Sequence, residues 1–314
     1  MRYILKKIIT ALITIIAVSF LVFLAFEIIP GDVATKMLGT NATKSQVEAL
    51  RAQLGLDRPF FVRYLGTIKD FFAGDMGVSY TYYTPVKTLL ADKLPITLTL
   101  TVMSFVFILI ISIPLGIITA KYYDRFFARI FDVINQLCMS VPPFFIGILF
   151  TYLFGIILKW FVPGGFVSYK TDFFKYLLYM IVPSLSIAIP KAAMNMRLLK
   201  NSVLSESKLD YVRTAYSRGN STNRILYKHV LKNAMIPVVT FLGMTLADIV
   251  AGSLIIEQVF SIPGFGRLLI NSISNRDYPV AQSIVVIIAI VVILTNLCVD
   301  ICYTVLDPRI RDEK

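Results

Sequence analysis

The chain holds one histidine, one tryptophan and three cysteines in 314 residues. With His229 alone, a multi-histidine metal centre and an HExxH metalloprotease helix are excluded, and a Ser-His-Asp triad would rest on that one residue. Cys138, Cys298 and Cys302 are odd in number and lie in apolar runs, so they read as small apolar residues and not as a disulfide framework. No GxxxxGK(S/T) loop occurs, so the chain does not bind ATP in the P-loop manner by itself. Charge is scarce too: 16% of residues are charged, against about 25% in an ordinary soluble domain. What is abundant is apolar surface, with 57% hydrophobic residues and a mean hydropathy of +0.74. The net charge of +12 admits either nucleic acid or a membrane as partner, and the hydropathy favours the membrane.

A bilayer-spanning helix needs about 20 largely apolar residues. Six segments qualify, at about 8–29, 94–120, 130–158, 176–196, 234–256 and 280–305. The first follows Arg2, Lys6 and Lys7 and so resembles the start of a signal peptide. Its apolar run is too long for a typical leader core, and Glu27-Ile28-Ile29-Pro30 is no small-residue cleavage site, so it reads as a retained anchor. Prolines inside the later spans are tolerable in a bundle, where neighbours and water satisfy the freed carbonyls. Pro142-Pro143 reads as a kink, with a gating bend as the alternative. Basic residues orient the spans. Three lie in the N-terminal tail, three at 121–129, three in the C-terminal tail (Arg309, Arg311, Lys314) and nine at 191–233. Both termini are thereby expected in the cytoplasm, with 30–93, 159–175 and 257–279 outside.

Two polar segments are patterned. In 30–93, Pro30-Gly31-Asp32 signals a turn, Thr43 or Ser45 can cap a helix carrying Val47, Leu50 and Leu54 on one face, and Gly55 would stop it. A second short helix fits 59–72, followed by a turn at Gly74-Asp75-Met76-Gly77. This makes a small external cap. In 197–233, Ser207-Lys208-Leu209-Asp210 reads as a capping box, and Leu209, Val212, Ala215 and Tyr216 form an apolar stripe. Gly219 sits where a left-handed cap is wanted, and Asn220-Ser221-Thr222 restarts a helix. Spacing alone leaves two readings: a helix docking into a partner's groove with its stripe turned away from its own bundle, or one lying on lipid headgroups.

At this stretch the sequence resembles a known family. Asp210-Tyr211-Val212-Arg213-Thr214-Ala215, Ser217-Arg218-Gly219 and His229-Val230-Leu231-Lys232-Asn233-Ala234-Met235-Ile236-Pro237 are similar to the coupling loop of bacterial ABC-importer permeases, in the B-type subunit of the dipeptide/oligopeptide/nickel branch. The likeness runs on through Leu54-Gly55-Leu56-Asp57-Arg58-Pro59, Gly74-Asp75-Met76-Gly77-Val78-Ser79 and Leu94-Pro95-Ile96-Thr97-Leu98. It continues in Val259-Phe260-Ser261-Ile262-Pro263-Gly264-Phe265-Gly266, Arg276-Asp277-Tyr278-Pro279-Val280 and Asp307-Pro308-Arg309-Ile310-Arg311. Against the general permease motif, aligned on Gly219, Arg213-Thr214-Ala215 stands for Glu-Ala-Ala, and Ala215, Gly219 and Leu231 match strictly.

The resemblance implies an all-α polytopic membrane protein with the six-helix type I ABC importer permease fold and a small extracytoplasmic segment after the first helix. Its implied parts are residues 1–29 (tail and first span), 30–93 (extracytoplasmic), 94–305 (spans two to six, with the coupling loop 197–233) and 306–314 (cytoplasmic tail). It implies a permease without its own ATPase site that moves short peptides across the bacterial cytoplasmic membrane, with a nickel or metal-chelate importer as the rival cargo. Implied partners are a second homologous permease, two cytoplasmic ATPase subunits that carry ATP and Mg, an extracytoplasmic substrate-binding protein and membrane lipid, with no nucleic acid. No cofactor is expected in this chain. Asp210, Tyr211, Arg213, Thr214, Ala215 and Gly219 are the expected ATPase-coupling residues, on a helix at about 208–219. Ionisable residues at membrane depth are costly and face a bundle interior or water. Asp248, mid-span, therefore either lines the pathway and meets a cationic group of the cargo or fixes packing; Asp300 lies nearer the inner end. An ion-coupled secondary transporter is the alternative of a different class, distinguished by uptake that survives ATP depletion.

Overall fold

The computed structural model describes residues 2–28, 32–39 and 42–306, with side chains for 7–28, 32–39 and 42–297. Pro30, Gly31, Asn41 and the tail from Asp307 to Lys314, including the Asp307–Arg311 motif, lie outside the described residues, as do the side chains of Arg2, Lys6, Cys298, Asp300 and Cys302. Among the described residues the structure is helical: α1 (Arg2–Ile28), α2 (Val33–Leu38), α3 (Lys44–Gln53), α4 (Phe60–Phe72), α5 (Val86–Lys121), α6 (Phe126–Ser140), α7 (Pro143–Phe150, continued as π-helix Thr151–Ile157), α8 (Phe173–Glu206), α9 (Asp210–Ser217), α10 (Thr222–Ile225, continued as π-helix Leu226–Val230), α11 (Leu231–Val259), α12 (Phe265–Asn275) and α13 (Tyr278–Leu306). Five stretches among the described residues are long and apolar enough to cross a membrane, and the pair α6–α7 counts as a sixth if taken as one broken span.

That pair corrects the expectation of a kinked third span: the two helices meet at 100°. Val141 and Pro142 each precede a proline, which disfavours the helical region, and both take extended conformations (ψ 126° and 145°). Two consecutive prolines also remove two N–H donors, so the helix stops and restarts instead of bending. Other spans are longer than their apolar runs. α5 starts at Val86, before Pro95, and α8 continues past Met196 to Glu206. The segment 257–279, expected to be a connection outside the membrane, contains α12, whose polar residues hid it in the sequence.

The described chain forms two compact units. The first comprises residues 1–97 and 263–293. Here α4 lies along α1: the Phe60 and Tyr64 rings meet Phe20 and Phe23 at centroid distances of 5.1–5.9 Å. The Tyr64 hydroxyl donates to the Ile16 carbonyl at 3.0 Å, and Arg63 pairs with Glu27 at 2.5 Å. α3 begins as expected, with the Thr43 N–H donating to Gln46 Oε1 at 2.9 Å. The loop before α5 is held by Asp277, which is fully buried. Its carboxylate accepts from the Ser79 hydroxyl, the Tyr80 N–H (3.0 Å) and the Thr81 N–H (3.2 Å). Gly77, at φ +76°, lets this loop pass within 3.7 Å of the Pro279 side chain, measured from where a Cβ would stand. The Thr97 hydroxyl accepts from the Phe265 N–H at 2.9 Å, so the start of span two is bonded to the start of α12.

The second unit comprises residues 98–262 and 294–314. α8 is its centre and packs on α6, α7 and α11. Tyr176, Met180, Ile187 and Leu199 of α8 are buried. Close approach is set by small residues, as expected where lipid offers no hydrophobic drive between helices. A Cβ on Gly116 would stand 2.9 Å from Leu199 Cδ2, and one on Gly147 3.1 Å from the Phe260 ring. Buried Asn195 donates to buried Ser112 Oγ at 2.7 Å, a bond between α8 and α5. The Tyr179 hydroxyl donates to the Phe260 carbonyl at 2.7 Å and fixes the end of α11.

Candidate functional site

The polar loop between α8 and α11 builds a short helix on two anchors. α9 spans Asp210–Ser217, shorter than the expected 208–219. The expected capping box does not form. Ser207 is still helical (φ −64°, ψ −15°), so its hydroxyl turns back onto the Val203 carbonyl at 2.6 Å, and Leu209 occupies the N-cap position without a side-chain bond. The helix ends as expected: Gly219 is left-handed at φ +77°, with its N–H donating to the Tyr216 carbonyl at 2.9 Å. Ser221 then caps α10, accepting from the Arg224 N–H.

The apolar stripe is divided between the two sides of α9. Val212 and Ala215 are buried in the chain's own structure, whereas Leu209 and Tyr216 remain about half exposed. The expectation that the whole stripe faces away from its own bundle is therefore corrected: the two smaller residues dock the helix and the two larger ones stay outside. Asp210 and Arg213 form an outward pair at 3.5 Å with side chains 95% and 80% exposed. Thr214 is exposed and its hydroxyl donates to the Asp210 carbonyl at 3.1 Å. Tyr211 points partly inward. Its hydroxyl donates to Glu206 Oε1 at 2.7 Å, and Asn233 Nδ2 donates to the same oxygen at 2.9 Å and to the Tyr211 hydroxyl at 3.3 Å. Burial and the bond to Glu206 raise the Tyr211 phenol above its ordinary pKa. One three-residue cluster thus joins α9 to the end of α8 and the beginning of α11. Glu206 was absent from the expected coupling set because nothing in its local sequence marks it.

Deeper in the same unit, polar residues on α8 pair with neighbouring helices. Lys200 meets Asp132 at 2.6 Å, Arg197 donates to Gln136 at 2.7 Å, and Lys191 pairs with Asp248 at 2.7 Å. Asp248 is thus paired with Lys191, which lies inside the span expected at 176–196 and had been counted only among the basic residues that orient the spans. No group of three or more potential metal ligands occurs among the described residues.

The comparisons with known proteins agree with this architecture. Residues 112–312 match the family described as "Binding-protein-dependent transport system inner membrane component", and residues 1–101 match its N-terminal counterpart. A probable peptide ABC transporter permease of Sinorhizobium fredii is 33% identical, covering 98% of this chain and 99% of its own length. A putative peptide permease of Brucella suis is 37% identical, covering 99% of both chains. The glutathione transport system permease GsiC of Escherichia coli O6:H1 is 35% identical, again covering 99% of both. Among solved structures, a chain of the inward-facing MetNI methionine ABC transporter superposes with a TM-score of 0.57 at 19% identity, covering 70% of this chain and 96% of that one, a likeness of fold.

Proposed function

From the premise that the chain belongs to the binding-protein-dependent transport system inner membrane components, we propose that it is a peptide-importing permease subunit of an ABC transporter in a bacterial cytoplasmic membrane. The observation that carries the reading is likeness over almost the whole length to permeases named for peptide and glutathione transport; glutathione is itself a short peptide. In this reading the subunit pairs with a second, homologous permease, takes cargo from an extracytoplasmic binding protein and contributes no ATPase site. ATP and Mg reside on two partner ATPases. The basic residues of the loop after α8, among them Lys208, Arg213, Arg218, Arg224 and Lys228, support putting that loop, and with it both termini, on the cytoplasmic side.

The geometry of α9 supports a coupling mechanism. Asp210, Arg213 and Thr214, with Leu209 and Tyr216, offer a surface of mixed charge and apolar contact to an ATPase groove. Ala215 and Val212 hold the helix to its own bundle, and Gly219 sets the exit of the chain. When ATP draws the ATPases together, α9 moves with them, and the Tyr211–Glu206–Asn233 cluster passes the motion to α8 and α11. Those two helices are long and apolar enough to cross a membrane, so a displacement at the loop is carried into the spans. The test is to purify the chain with its co-expressed neighbours and measure ATP hydrolysis with and without peptide-loaded binding protein. Stimulation by peptide supports the reading. Stimulation by a nickel chelate and none by peptide would replace it with a metal-importing permease.

A further inference from the structure

The coupling scheme makes no use of the charges of Lys191 and Asp248. The two residues sit near the middle of α8 and α11, helices long and apolar enough to cross a membrane. Their side chains are 22% and 63% exposed. A carboxylate with that much free surface at membrane depth does not face acyl chains without a large cost, so this face of α11 is turned to water or to protein. The exposed positions of α11 within the span fall at Pro237, Met244, Asp248, Ala251 and Ile255, which form one stripe at helical spacing with a single charge in it. One turn beyond Asp248, a Cβ on Gly252 would meet no atom within 4 Å. Open room therefore adjoins the charged pair.

The chemistry of the pair suits a traveller with charges at both ends. Its net charge is zero, so it adds no field that would trap an ion of either sign. It is closed by one bond, Nζ to Oδ2 at 2.7 Å. An ammonium has three donors and a carboxylate about four acceptor sites, so each group can take a second partner before the first is released. A free peptide carries one ammonium and one carboxylate, each of which needs a counter-ion when it leaves bulk water. We propose that Lys191 and Asp248 form a counter-ion site for the charged termini of a peptide in passage: Asp248 accepts from the ammonium, Lys191 donates to the carboxylate, and the pair closes on itself once the peptide has gone. This rests on the peptide reading above and assigns it two residues.

The test uses the assembled importer in proteoliposomes, with its binding protein and a radiolabelled tripeptide with free termini. Asp248→Asn, Lys191→Gln and the double variant are compared with the wild type for subunit co-purification, ATP hydrolysis stimulated by loaded binding protein, and uptake. The expected result is about tenfold slower uptake in all three variants, with assembly intact and stimulated hydrolysis within about twofold of wild type. A structural ion pair behaves differently: each single variant leaves an unpaired charge, and neutralising both relieves it. Recovery of uptake in the double variant would therefore overturn the proposal, as would unchanged uptake in the single variants. Loss of the second permease on purification would overturn it in favour of a subunit interface. Wild-type vesicles that take up no tripeptide would instead overturn the peptide reading itself.

Discussion

The Tyr211 hydroxyl donates to Glu206 Oε1 at 2.7 Å and thereby ties the first turn of α9 to the last turn of α8. Asn233 closes the cluster from α11. A helix of eight residues is too short to be stable alone, so its orientation comes from such tertiary bonds and from the burial of Val212 and Ala215.

Tyr211→Phe removes the hydrogen bond donated to Glu206 and the longer one accepted from Asn233, each worth about 1 kcal/mol, and leaves the ring in place. The expected outcome is near-normal expression and ATP hydrolysis with several-fold less peptide moved per ATP. Glu206→Gln keeps the acceptor oxygen and should be milder. The folded-state pKa of Tyr211 is raised, so the stabilisation from this phenol is fully present below its ordinary pKa of 10.0 and is lost as pH rises through the raised value. Comparing the alkaline unfolding of wild type and Tyr211→Phe checks the sign.

Gly219→Val places a β-branched residue at φ +77°, a conformation that costs a non-glycine residue about 1 kcal/mol and a branched one more. No neighbouring atom stands within 4 Å of the new Cβ, so the penalty is backbone strain and not a clash. The variant should insert into the membrane and yet hydrolyse ATP without uptake. Gly219→Asn, which tolerates the left-handed region, should retain most transport.

Asp277→Ala strips the acceptor from the Ser79 hydroxyl and from the N–H groups of Tyr80 and Thr81. A buried donor left without a partner costs about 1–3 kcal/mol. Amide exchange at residues 79–82 should accelerate at least tenfold, while the α8–α11 bundle, which belongs to the other unit, keeps its protection.

Gly116→Leu drives a side chain into Leu199, already 2.9 Å from the position of the missing Cβ. The helices must separate, and the thermal midpoint of the purified protein should fall by several degrees. Leu199→Ala in the same chain makes room and should restore part of the loss, whereas additive losses would contradict the packing.

Much of this architecture could be read from residue order. Long apolar runs located the spans, the Thr43 cap with the Val47, Leu50 and Leu54 spacing located α3, and the glycine at 219 marked the end of α9. What escaped was tertiary. The broken third span depended on two extended residues at Val141 and Pro142, whereas the apolar run reads straight through them. The extension of α8 to Glu206 was masked by its polar residues, because Arg197 and Lys200 look solvated until Gln136 and Asp132 are seen opposite them. Asp277 looked like a loop acid, and only the fold shows that one separate motif run binds another through it. The pairing of Asp248 with Lys191 lay beyond pattern reading for the same reason.

The central claim is that this chain converts work done on α9 into peptide movement through its spans. Uptake of a labelled tripeptide into proteoliposomes holding the full complex and its binding protein tests it most directly, with ATP and with imposed ion gradients varied separately. The account predicts accumulation that requires ATP and the binding protein and is indifferent to ionophores. Accumulation that persists without ATP and collapses when the ion gradient is dissipated would contradict it.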